Sequence, residues 1–183
     1  RGKDFEQVNV GDVIDGVLGD LEIAIEEKGA NVIVQDIPTI RADKSQIDQL
    51  FLNLLSNALK FQTADKAPLI EITATPPSEA DMKDILLADE YDWIKIQISD
   101  NGIGFEQSFA EKIFAPFQRL HGRSEYKGTG IGLAVCRRIV ERHNGQISAK
   151  SSPGEGATFT ILLPINSEPF GSLNNNGDTT HDA

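Results

Sequence analysis

Asp100-Asn101-Gly102-Ile103-Gly104-Phe105 is the stretch around which this chain is organised. It follows Trp93-Ile94-Lys95-Ile96-Gln97-Ile98-Ser99, where Ile96 and Ile98 alternate with polar neighbours. That alternation predicts a half-buried strand. An acidic residue at a strand's end, followed by two glycines one residue apart, predicts a sharp turn with bare backbone. A flat ligand can approach such a backbone closely, and the carboxylate can accept a hydrogen bond from it. Taken alone, the pattern also describes an ordinary loop leaving a strand. Three further stretches, in a fixed order along the chain, raise its weight.

The first lies upstream. Lys44 to Lys60 carries Ile47, Leu50, Phe51, Leu54, Leu55, Ala58 and Leu59 at helical spacing, with Asp43 as N-cap and Gln46 at the capping-box position. Asn53, Asn57 and Lys60 fall along one stripe beside that apolar face. Asparagine is a poor helix former, so two in mid-helix cost stability. Either they are solvent-facing or core-bridging amides, or their oxygens face a cation while the lysine reaches a phosphate. A hard cation such as Mg²⁺ accepts one or two neutral amides together with ligand phosphates and water.

The second and third lie downstream. Phe114-Ala-Pro-Phe117 leads into a polar segment holding Arg119, His121, Arg123 and Lys127 against Glu125 alone. In so acidic a chain this is either a surface loop or a lid over an anion. Gly128-Thr129-Gly130-Ile131-Gly132-Leu133 then opens a helix expected to run to about His143. Glycines before a helix start expose its orphan N–H groups where the dipole favours anions. Cys136 reads as a small buried side chain of that helix.

Around these the periodicity predicts a short strand at Phe5–Val10, one helix over Asp12–Lys28 stopped by Gly29, and strands at Asn31–Gln35 and Leu69–Thr75. Ile40-Arg41-Ala42 can pair back on the strand before it. Ser78–Asp92 reads as an acidic insertion with a short helix near Met82–Ala88, and Ser108–Ile113 as another short helix. A final pair, Gln146–Ser151 and Ala157–Leu163, is joined through Pro153-Gly154-Glu155-Gly156. Residues 1–166 form one domain in this reading, and the Ser-, Asn- and Gly-rich stretch 167–183 a disordered tail.

The composition excludes several classes. The 183 residues carry a formal net charge of −11, which argues against a nucleic-acid or anionic-membrane surface. A phosphate site must then be built locally, from backbone N–H groups, a cation and a few basic side chains. There is no membrane-length apolar run and no signal peptide at the start. One cysteine and three scattered histidines make neither a disulfide framework nor a zinc site. A cytoplasmic protein is expected, and a chain opening on Arg1 reads as a fragment.

These stretches in this order resemble the catalytic ATP-binding domain of sensor histidine kinases, over about residues 5 to 165. Asn53-Leu-Leu-Ser-Asn57-Ala-Leu-Lys60-Phe61 is similar to the N box, Asp100-Asn-Gly-Ile-Gly104 to G1, Phe114–Phe117 to the F box and Gly128–Gly132 to G2. Ser152-Pro-Gly-Glu-Gly156-Ala-Thr-Phe159 is similar to the segment often termed G3. Phe117–Tyr126 resembles kinases attached to phytochrome or PAS sensors.

The resemblance implies an α+β fold, the two-layer GHKL (Bergerat) sandwich, with a mixed, mainly antiparallel sheet and helices on one face. It implies ATP and Mg²⁺ as ligands. Asp100 would accept from the adenine amino group, with Gly102 and Gly104 shaping the base pocket. Asn57 would bind Mg²⁺ with Asn53 assisting, and Lys60 would contact phosphate. Gly128, Thr129, Gly130, Ile131, Gly132 and Leu133 would wrap the triphosphate, and Thr158 would join the nucleotide contacts. Arg119 and Arg123 would neutralise the transferred phosphoryl group, the kind of charge stabilisation such transfer needs.

His121, His143 and His181 all lack the acceptor context of this family. The acceptor would therefore sit on a separate dimerisation domain, with an upstream sensor domain and a downstream response-regulator receiver as further partners, and this chain itself monomeric. Two alternatives remain at this point. One is a nucleotide-binding regulatory module without transfer. The other is a different GHKL ATPase, such as a gyrase, mismatch-repair or chaperone domain, or an anti-sigma-factor relative. The hydrolytic members use an N-box glutamate, and the position four before Asn57 is Asn53.

Overall fold

The computed structural model describes residues 2–116 and 132–169. A five-stranded sheet forms its centre. The strands are β2 (Asn31–Val34), β4 (Leu69–Thr75), β5 (Trp93–Asp100), β7 (Ala157–Pro164) and β6 (Gln146–Ser151), in that spatial order. Only β2 and β4 pair in parallel; β4–β5, β5–β7 and β6–β7 are antiparallel. A parallel pair needs a long crossover, and the chain makes it through α3 (Lys44–Lys60). The short β3 (Thr39–Ala42) pairs with β1 (Glu6–Asn9), not with β2 as the sequence suggested.

One face of the sheet carries the core. Ile70, Ile72, Ile94, Ile96, Ile98, Phe159 and Ile161 pack in one cluster with α1 (Val10–Asp20), α3 and α5 (Gly132–Arg142). Seven apolar side chains of α3 are buried. Each of the larger ones contributes about 1.5–3 kcal/mol, enough to outweigh two mid-helix asparagines. Asp43 caps α3, its side chain accepting from Gln46 N–H. The opposite sheet face is more polar, with Gln97 and Ser99 bonded across to Thr160 and Thr158.

Several local expectations are corrected. The first long helix is interrupted at Leu21, giving α1 and α2 (Glu22–Lys28), where Gly19 and Asp20 are poor helix formers. The helix of the insertion, α4, is Glu79–Met82, set earlier than expected because Ser78 and Asp81 form a capping box. In place of a helix at 108–113 there are two 3-10 turns, Gln107–Phe109 and Lys112–Phe114. The tail does not start at residue 167. Ser167 is buried, its hydroxyl donating to the His143 carbonyl, and Glu168 accepts from Asn144 Nδ2. Among the described residues no helix is long and apolar enough to cross a membrane.

Candidate functional site

Asp100 ends β5 and pairs with Ile70 on one side and Ala157 on the other. Side chains alternate along a strand, so Asp100 shares the helix-covered face with Ile96 and Ile98. Its Oδ1 accepts from Gly102 N–H at 2.8 Å. Burial pushes its carboxyl up to about 6, against the backbone N–H groups of Gly102 and Ala157, which favour the charge. A carboxylate offers about four acceptor sites, and two N–H groups leave room for another donor. Among the described residues no basic side chain pairs with it. The site suits a neutral N–H donor from outside the chain.

The two glycines after it are needed for a different reason than expected. A Cβ on Gly102 would lie 2.1 Å from the Phe61 carbonyl oxygen, and one on Gly104 2.2 Å from that of Ser152. The bare backbone is filled by the chain itself. Ile103 N–H donates to Phe61 O at 3.0 Å, and Gly154 N–H to Ile103 O at 2.8 Å. Gly156 adopts φ +77°, and a Cβ there would meet Asp100 O at 1.9 Å. The turn is thus wedged between the end of α3 and the β6–β7 loop, which fixes the Asp100 carboxyl in place. Sequence reasoning missed Asn101, whose amide accepts from Leu69 N–H at 2.8 Å and donates to Ala67 O at 3.1 Å. Asn-Gly after a strand was the available signal.

Helix α3 brings its stripe toward α5. Asn53 Nδ2 donates to Gly132 O at 3.3 Å. Gly132 and Leu133 are the first residues of α5. Asn57 and Lys60 are half-buried, with Lys60 in the last turn and its Nζ 5.9 Å from the Phe61 ring centre. Phe61 O in turn holds the Asp100 turn, so the helix end and the acidic turn form one unit. Cys136 is fully buried and its Sγ lies 3.8 Å from Leu50 O. Burial pushes this thiol up to about 12, which makes it inert packing.

Two other sets of expected residues remain. Thr158 pairs with Ser99, and its Oγ1 lies 2.9 Å from Ser99 Oγ. Its neighbour Ala157 is the residue opposite Asp100, so strand alternation directs Thr158 to the other sheet face, away from the carboxyl. Arg119, Arg123, Gly128, Thr129, Gly130 and Ile131 lie outside the described residues. The approach to that stretch is anchored. Phe114 is buried edge-on against Phe159, and Arg137 of α5 sits over its ring while bonding Glu111.

Residues 42–167 match the family described as histidine kinase-, DNA gyrase B-, and HSP90-like ATPase. Over 157 residues the chain is 44% identical to the phytochrome-like protein Cph1 of Synechocystis sp., covering 86% of this chain and 19% of that protein. It is 35% identical to the adaptive-response sensory kinase SasA of Prochlorococcus marinus, covering 87% of this chain and 39% of that one. The chain therefore spans well under two thirds of either relative. The nucleotide-free catalytic domain of the histidine kinase ThkA superposes with a TM-score of 0.69 at 25% identity, covering 90% of this chain and 100% of that domain. The chain belongs to the family of histidine kinase-, DNA gyrase B- and HSP90-like ATPases.

Proposed function

We propose that this chain is the catalytic ATP-binding part of a two-component sensor histidine kinase, which binds ATP with Mg²⁺ and donates the γ-phosphoryl group to a histidine outside the chain. The observation that carries the reading is the buried Asp100 carboxyl. It is held by two backbone donors, retains acceptor capacity and has no cationic partner among the described residues. Such a group selects a neutral donor, and the exocyclic amino group of adenine is one. Asn57 would hold Mg²⁺, which when bound offsets the negative charge of the phosphates. Lys60 places a positive charge at the same end of α3. The first turn of α5 would offer helix N-terminal N–H groups to the triphosphate, together with the sequence stretch Gly128–Ile131 just before it.

His143 cannot serve as the acceptor in this fold. It is 2% exposed, and both ring nitrogens are engaged, with Ile139 O and Asp43 N–H. His121 and His181 lie outside the described residues. This favours an acceptor on a separate dimerisation domain of the same kinase, with a phytochrome- or PAS-type sensor before it and a response-regulator receiver after it. Residues 1–166 extended by the packed Ser167 and Glu168 form the domain, placed in the cytoplasm and monomeric by itself, with no role for nucleic acid. Titration calorimetry with ATP and Mg²⁺ tests the reading. One nucleotide per chain is expected, with GTP far weaker because its six-position oxygen would face the carboxylate. Equal affinity for the two bases would refute it.

A further inference from the structure

The best-connected polar cluster of the described residues lies at the end of α3 remote from Lys60. Asp43, the N-cap of α3, is 1% exposed. Its Oδ2 accepts from Lys3 N–H at 2.8 Å and from Arg142 Nη1 at 3.0 Å, and its Oδ1 from Ser45 Oγ at 2.8 Å. Burial opposes its charge, yet these bonds, Gln46 N–H and the Arg142 guanidinium together hold its carboxyl below the usual range. Arg142 also donates to Gln46 Oε1 at 2.7 Å and to Lys3 O at 2.8 Å. His143 donates from Nδ1 to Ile139 O at 2.7 Å, which leaves Nε2 to accept from Asp43 N–H at 3.1 Å. Phe5 closes the cluster, its ring stacked on His143 at 4.5 Å and its centre 5.1 Å from the Arg142 guanidinium.

The position of this cluster matters more than its size. Going down α3 from Asn53 to Leu50 to Asp43, the partners on α5 run up from Gly132 to Cys136 to Arg142. The helices are antiparallel. Ten residues separate the outer contacts on each helix, a span of about 15 Å. The two helices are therefore fastened at two levels, once where the middle of α3 meets the start of α5 beside the candidate nucleotide site and once at the Asp43 cluster. A shift of α5 along α3 must break both fastenings together. Segment 2–5 lies inside the remote one.

We propose that Phe5, Arg142 and His143 are positioning residues for the nucleotide site. They form with Asp43 a clasp that sets where α5 stands along α3, and so where its N-terminal turn meets Asn53 and the stripe of Asn57 and Lys60. Segment 2–5 is the removable part of this clasp, so displacing it lowers nucleotide affinity at the far end of both helices. The inference rests on the nucleotide reading of that site. By linkage the coupling is reciprocal: nucleotide must tighten the clasp.

The test combines calorimetry with amide hydrogen exchange. Arg142→Ala should bind ATP–Mg²⁺ about five- to tenfold more weakly at a temperature where circular dichroism shows it folded. Arg138→Ala, which removes the same charge from an exposed position of α5, should stay within about twofold of the parent. In the parent chain, ATP should slow exchange of the Lys3 and Asp43 amides. If Arg142→Ala does not fold, Gln46→Ala removes a single Arg142 contact and should still weaken binding measurably. Unchanged affinity in the folded variants with a lowered unfolding midpoint would reduce the clasp to ordinary stabilisation and overturn the proposal. Absence of any ATP binding in the parent chain would instead overturn the nucleotide reading itself.

Discussion

Replacing Asp100 by asparagine should weaken nucleotide binding and stabilise the empty domain. The carboxyl is raised from 3.8 to about 6, first by burial. A difference of about 2 units, at 1.36 kcal/mol each, makes its ionisation cost about 3 kcal/mol of folding stability above pH 7. The sign follows from proton counting. Between pH 3.8 and about 6 the folded state binds more protons than the unfolded one, so this contribution to stability falls as pH rises. Asparagine carries no charge, but it offers one acceptor oxygen to the two N–H groups of Gly102 and Ala157. One lost partner costs about 1–2 kcal/mol, leaving a net gain of about 1–2 kcal/mol at pH 7.5. The difference between parent and variant should move by about 2 kcal/mol in the variant's favour between pH 4.5 and 7.5. Urea unfolding at several pH values measures this, and calorimetry should show ATP bound at least about tenfold more weakly. A pH-independent stability difference, or undiminished ATP affinity, would refute the reasoning.

Asn57→Ala should lose far more ATP affinity with Mg²⁺ than without it, since the amide acts through the cation; equal losses would make Asn57 purely structural. Thr158→Val should leave ATP affinity unchanged, because its hydroxyl bonds Ser99 on the other sheet face, and a loss read by calorimetry would return Thr158 to the site. His143 is held below 6.5, chiefly by burial and also by the charge of Arg142, against the Ile139 bond and Asp43. Its folded value is depressed, so its contribution to stability is full above pH 6.5 and lost as pH falls below it, opposite in sign to Asp100. His143→Gln should remove that slope from urea midpoints measured between pH 5.5 and 7.5.

The parts of the fold legible in the sequence were those with long, clean periods. Helix α3, strand β5 with its turn and the β6–β7 hairpin carry enough alternation to settle type and extent. Four-residue strands do not. Nothing local in Thr39–Ala42 distinguishes β1 from β2 as its partner, and the parallel pairing of β2 with β4 depends on α3 lying between them.

In the site, residue types were legible but their partners were not. Asn53 meets Gly132 and Asn101 meets Leu69 across long sequence separations, beyond any local pattern. Gly102 and Gly104 read as bare backbone open to a ligand, and what approaches them in the fold is the Phe61 and Ser152 carbonyls. Thr158 could have been placed. With Asp100 facing the core, the alternation of β7 leaves Ala157, not Thr158, opposite it. Ser167 lay hidden in a polar stretch because burial of one hydroxyl leaves no trace in composition.

The donor half of a phosphoryl transfer is the role proposed for this chain. It is tested by mixing the chain with γ-labelled ATP, Mg²⁺ and the histidine-bearing dimerisation domain of the same kinase, with or without the acceptor histidine. Slow, acid-labile labelling of that domain, rising with its concentration and absent without its histidine, is the predicted result. Acid-labile label on His121, His143 or His181 of the chain alone, or label on neither protein while ATP binds, would contradict the account.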